Sequence, residues 1–134
     1  MIRLSLFAAT LVLAGCSSQP TQPAGAVPGG EAVLNEVAGL IRLYSGETGQ
    51  GPKKAADLAK YETGHPLGYR AVQSGEVVVM WGAKIGGEGE AASGPKDVIA
   101  FEKKVPTDGG WVLLQNGTVK QMTADEFKAA PKAK

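Results

Sequence analysis

The chain has one cysteine and one histidine among 134 residues. A single thiol excludes an internal disulfide framework, a CxxC redox pair and a cysteine-based zinc cluster. The single histidine, His65, has no second imidazole to share a metal with. It also has no serine in a Gly-x-Ser-x-Gly elbow to activate. Charge excess is missing too, with 14 Lys and Arg against 13 Asp and Glu. Long-range steering toward nucleic acid or an anionic membrane surface needs such an excess, so no nucleic-acid partner is expected. Finally, no apolar run approaches the roughly 20 residues that a helix needs to cross a bilayer.

What is present begins at the N-terminus. Arg3 is the lone positive charge before an apolar run from Leu4 to Leu13, and the small residues Ala14 and Gly15 then lead into Cys16. The stretch Leu13-Ala14-Gly15-Cys16 resembles the lipobox of a bacterial lipoprotein signal. That resemblance implies a signal peptide over residues 1–15, cleavage between Gly15 and Cys16, and a palmitate-type acylated cysteine at the new N-terminus. Each buried methylene contributes about 0.8 kcal/mol, so one acyl chain anchors marginally and two or three hold durably. Ser17 stands where an aspartate would mark inner-membrane retention in enteric-type sorting. The expected location is therefore the outer membrane, with the protein facing the periplasm. Loss of Arg3 leaves 13 basic against 13 acidic residues.

Residues 16–30, the lipidated cysteine and a Ser, Gln, Pro, Thr, Ala and Gly stretch, read as a flexible tether. Residues 31–128 suffice for one small core, and residues 129–134 (AAPKAK) are expected to be a disordered tail. Val33, Leu34, Val37, Leu40, Ile41 and Tyr44 predict an amphipathic helix that Gly46, Gly49 and Pro52 stop. A short helical turn is expected over Lys54 to Lys60. Strands are expected at Tyr69 to Gln73 and Glu76 to Lys84, joined by Ser74-Gly75, with Val77 to Trp81 reading as a central strand. A further strand is expected at Val98 to Lys103. Trp111 to Gln115 and Thr118 to Met122 predict a second hairpin across Asn116-Gly117. Thr123 and Glu126 have capping-box spacing before a closing helix, Ala124 to Lys128. The expected fold class is α+β, an N-terminal helix packed on a four- or five-stranded antiparallel sheet.

The stretch Leu40-Ile41-Arg42-Leu43-Tyr44, then Thr48-Gly49 and Pro52, then Asp57-Leu58 and Tyr61, resembles the helix end of pilin-like and type II secretion pseudopilin domains. The C-terminal part, Ala100-Phe101-Glu102-Lys103 through Val112-Leu113-Leu114 and Asn116-Gly117 to Met122, is similar to the end of planctomycete prepilin-like proteins. The departures carry information. Pro106 occupies the position of that family's histidine, Asn116-Gly117 replaces its Asp-Gly, and a lipobox stands where pilins keep a polymerising helix. The resemblance implies a pilin-like fold without pilus assembly.

Site candidates are few. Glu88, Glu90 and Asp97 are possible oxygen ligands for Ca²⁺ in or beside a glycine-rich loop that lacks EF-hand spacing; otherwise no cofactor is expected. That loop lacks the Gly-Lys-Ser/Thr of a phosphate loop. His65 with Glu62, Glu102 or Asp108 would be needed for acid–base chemistry, and nothing in the spacing brings them together. Trp81, Trp111 and Tyr69 read as core residues, and Lys53-Lys54 and Lys103-Lys104 as solvated faces. The sequence thus points to a non-catalytic, lipid-anchored envelope lipoprotein with a protein partner. The alternative is a small-ligand or Ca²⁺-binding lipoprotein. Calorimetric titration of the full chain separates the cation reading: a titration without heat at millimolar Ca²⁺ removes it.

Overall fold

Leu34, Val37, Ala38 and Ile41 are buried at helical spacing and define the first element, α1, at Gly30–Thr48. The computed structural model describes residues 29–85 and 95–134. After α1 come a 3-10 helix (Ala55–Tyr61), α2 (Pro66–Ser74), β1 (Val77–Val79), β2 (Val98–Glu102), α3 (Val105–Asp108), β3 (Gly110–Leu114), β4 (Val119–Met122) and α4 (Ala124–Ala129). The strands form one antiparallel sheet in the order β1-β2-β3-β4. The described residues are therefore α+β, with a four-stranded meander after the long helix.

Alternation along the strands sends side chains into two layers. On one face Val77, Val79, Ala100 and Leu113 pack with Leu34, Val37 and Ile41 of α1 and with Ala71 and Val72 of α2. On the other face Val98, Val112, Leu114 and Met122 pack with Val105 of α3 and Phe127 of α4. Phe101 joins this second layer, its ring centroid 4.6 Å from that of Phe127. The sheet is covered on both sides, by α1 and α2 on one and by α3 and α4 on the other.

Two sequence expectations fail at the first hairpin. Tyr69 to Gln73 is not a strand but part of α2. Pro66 occupies the first turn, where its fixed φ suits a helix and its missing N–H costs nothing. The Glu36 carboxylate accepts the Gly68 N–H at 2.8 Å, anchoring that turn to α1. A side chain at Gly68 would come within 2.8 Å of the Val37 nitrogen, so glycine lets the two helices touch. Gly75, left-handed at φ 79°, caps α2 rather than turning a hairpin. The same -Gln-[Ser/Asn]-Gly- signal does turn the chain between β3 and β4, where Gly117 has φ 83°. A left-handed glycine ends a helix or turns a hairpin equally well, and tertiary contacts decide which.

Likewise, the apolar run from Val77 is not a central strand. β1 is a three-residue edge strand with Val78 exposed. Gly82, at φ 95°, turns the chain away, and its N–H donates to the Pro52 carbonyl at 2.7 Å. The short β1 leaves room beside Val98, and the C-terminal residues fill it. Val98 donates to the Pro131 carbonyl at 2.8 Å, and Ala133 donates to the Val98 carbonyl at 3.0 Å. Lys132 donates to the carbonyls of Phe127, Lys128 and Ala130 and lies 4.4 Å from the Phe127 ring centroid. A cation at the C-terminus of α4 offsets the helix dipole there. The tail that composition suggests would fray is instead paired with β2.

The closing helix matches its sequence signature. Thr123 accepts the Glu126 N–H at 3.2 Å, and the Glu126 carboxylate accepts the Thr123 N–H at 2.7 Å. That backbone hydrogen bond holds the Glu126 carboxyl below its ordinary value. Its stabilising contribution is therefore complete above the unfolded carboxylate pKa and fades as pH falls through the lowered folded value. Two outcomes follow for denaturant unfolding. Thr123→Ala costs about 1 kcal/mol at neutral pH. Lys132→Ala also costs about 1 kcal/mol, by removing the α4 cap and its ring contact. A Lys132→Ala chain as stable as the parent would mean that the Lys132 cap and its ring contact contribute nothing.

Candidate functional site

The long helix sets the geometry of everything functional. Its 19 residues span about 28 Å, so its two ends belong to opposite ends of the sheet. At its start Gly30 lies against Glu102 and Trp111 with no space for a side chain. Glu102 there accepts the Trp111 N–H at 2.8 Å, and Lys104 pairs with it at 3.7 Å. This is the end at which residues 1–28 join the domain.

The other end is built by the motif that ends the helix. Thr48 donates to the Tyr44 carbonyl at 2.8 Å, and Gly49 closes α1 in the left-handed conformation. Pro52 is fully buried and its carbonyl takes the Gly82 N–H. Asp57 accepts the N–H groups of Lys53 at 2.9 Å and Lys54 at 3.2 Å, starting the 3-10 helix. Leu58 and Tyr69 pack with Leu40, and Tyr44 and Tyr61 flank them. Glu47 accepts from both Lys60 and Tyr61, clasping the 3-10 helix to α1. The Lys60 hydrogen bond, then that of Tyr61, holds the Glu47 carboxyl below its usual range. The same contact raises Lys60 and Tyr61 above theirs.

Between this helix exit and the sheet lies an open cleft of about 520 Å³. Gly49, Gln50, Gly51 and Lys53 form one wall; Gly82, Ala83 and Lys84 another; Asp97, Gln115, Ala133 and Lys134 the rest. Gly51 presses on the carbonyls of Gly82 and Ala83, leaving no room for a Cβ. Behind the Asn116-Gly117 turn stands Arg42, whose guanidinium would lie 2.7 Å from a Cβ at Gly117. The Arg42 Nε and the Ser45 hydroxyl are buried and have no hydrogen-bond partner among the described residues. A second cleft, about 450 Å³, runs between Thr107–Gly110 and Gln121–Ala124 near the other end.

The sequence candidates do not converge. Gly15, Cys16, Glu88 and Glu90 lie outside the described residues. Asp97 is half-buried in the first cleft, in the company of lysines rather than carboxylates. Among the described residues no group of three or more His, Cys, Asp or Glu is placed to hold a metal. His65 packs on Gly39 of α1, so that a Cβ there would be 2.5 Å from its ring. Its N–H donates to the Glu62 carbonyl, a backbone turn and not an acid–base pair. Glu102 lies at Gly30, nine residues along α1 and about 13 Å from Gly39. Asp108, exposed, ends α3. The acid–base combination is not assembled. Of the aromatics, Tyr69 is buried and Trp111 half-buried, but Trp81 is 39% exposed. Comparison with known protein families, curated proteins and solved structures finds no match for this chain.

Sequence reasoning missed the cleft. Lys53 read as a solvated face and Lys84 as the end of a strand, because what joins them is the Gly51–Gly82 contact. Two outcomes test this geometry. Gly117→Ala costs about 1–2 kcal/mol from its left-handed φ, read as a lower denaturation midpoint. In an NMR pH titration Tyr61 loses its proton later than an unperturbed tyrosine, and Glu47→Gln moves it back down.

Proposed function

We propose that this protein is a lipid-anchored, non-catalytic envelope lipoprotein whose domain acts by binding. The observation that carries this reading is Leu13-Ala14-Gly15-Cys16 at the end of a short apolar run, followed by a polar tether that reaches the domain at Gly30. Acylation of Cys16 supplies the anchor; among the described residues no helix is long and apolar enough to cross a membrane. The orientation is outer membrane, facing the periplasm, on the strength of Ser17.

The order of a long helix and then an antiparallel meander supports a pilin-like ancestry, as does the Thr48-Gly49…Pro52…Asp57 helix end. With a lipid in place of the polymerising helix, the domain works as a tethered module and not as a filament subunit. Exposed Leu43, Leu67, Val78 and Trp81 offer apolar contacts to an envelope protein partner. The failure of His65, Glu62, Glu102 and Asp108 to meet supports binding over catalysis.

The small-ligand alternative has a specific observation in its favour, the cleft between Gly51 and Lys84. Its lysines favour an anion over the Ca²⁺ suggested by Glu88, Glu90 and Asp97. The anchor is tested in the native cell with Cys16→Ser. The parent partitions with membranes and incorporates labelled fatty acid, whereas the variant loses the label and leaves the membrane fraction. A Cys16→Ser chain that stays membrane-bound would contradict the reading.

A further inference from the structure

At the end of α1 remote from Gly30, three separate segments bring lysines to the lining of one open cleft. Lys53 comes from the helix exit, Lys84 from the turn after β1, and Lys134 from the C-terminal residues. Asp97 is the only carboxylate side chain among the described lining residues. Two described acids at this end are otherwise engaged: Asp57 holds the Lys53 and Lys54 N–H groups, and Glu47 holds Lys60 and Tyr61. Behind the wall, Arg42 forms no ion pair with a described carboxylate. Neutral donors are present as well. Gln50 and Gln115 line the space, and the N–H groups of Gly51 and Lys84 meet no acceptor among the described residues.

We propose that this cleft binds a small organic or inorganic anion through a carboxylate or phosphate group. A volume of about 520 Å³ suits a small molecule. Lys53 and Lys84, against the one carboxylate side chain among the described lining residues, match an oxyanion together with the Gly51 and Lys84 N–H groups. Lysines around Asp97 disfavour a cation in the same place. Gly51 is the residue that keeps the space: its close approach to the Gly82 and Ala83 carbonyls sets the distance between the two lysine-bearing segments. The assignment goes beyond the docking function and does not need it, because an anion site requires neither the lipid nor a protein partner.

The test is amide chemical-shift titration of the full chain in detergent micelles. Inorganic phosphate and succinate serve as separate probes, and chloride at matched ionic strength is the reference. Saturable shifts at Gly49, Gly51, Gly82, Lys84 and Gln115 are expected. Saturation by phosphate alone identifies a phosphorylated ligand class, and saturation by succinate alone a carboxylated one. Lys53→Gln with Lys84→Gln weakens binding about fivefold. Lys103→Gln with Lys120→Gln, away from the cleft and equal in charge change, leaves it unaltered. Shifts no larger than those with chloride, or equal weakening by both pairs, would overturn the proposal.

Discussion

Burial of the α1 stripe against the sheet is the constraint on which the rest depends. Leu34, Val37 and Ile41 are wholly buried, with Ile99 and Leu113 in the same core. Each such side chain contributes about 1.5–3 kcal/mol when fully removed from water. The contact fixes the rotation of α1, and with it which residues line its other sides. Glu36 and Gly39 then face α2 and His65, Leu40 faces the 3-10 helix, and Arg42 reaches the β3–β4 turn. Because α1 is about 28 Å long, it also separates Gly30, where residues 1–28 join, from the cleft.

That separation gives the molecule a direction. Glu102, Trp111 and Gly110 gather at the start of α1, where residues 1–28 join. Gly49, Gly82, Asp97 and Gln115 gather at its far end, with Pro52 hydrogen-bonded to Gly82. On the proposed anchoring at Cys16, the end of α1 that carries the cleft and Lys84 would point away from the membrane. The Glu47–Lys60–Tyr61 clasp and the Gly82–Pro52 hydrogen bond brace this far end.

Much of this was legible from residue order, and where it was not the reason is local. The α1 stripe, the Asn116-Gly117 hairpin and the Thr123–Glu126 cap were all readable because each is fixed by neighbours within a few positions. Tyr69 to Gln73 misled because its apolar spacing fits strand or helix, and the choice rests on Glu36 and Val37, more than 30 positions earlier. Residues 131–133 looked unstructured because their partner, Val98, is distant in sequence and their own composition is bland. The cleft was illegible for a related reason. Its chemistry depends on Gly51 meeting Gly82, a contact that no local pattern announces.

The central claim is that the chain begins at a lipid-bearing Cys16 and holds its domain by that end. Intact-mass and fragment-ion mass spectrometry of the protein extracted from its native membranes tests this most directly. The account predicts a mature N-terminus at Cys16 that carries the mass of a diacylglyceryl group, with or without an amide-linked acyl chain. A chain that retains residues 1–15, begins elsewhere, or carries an unmodified Cys16 thiol would contradict it.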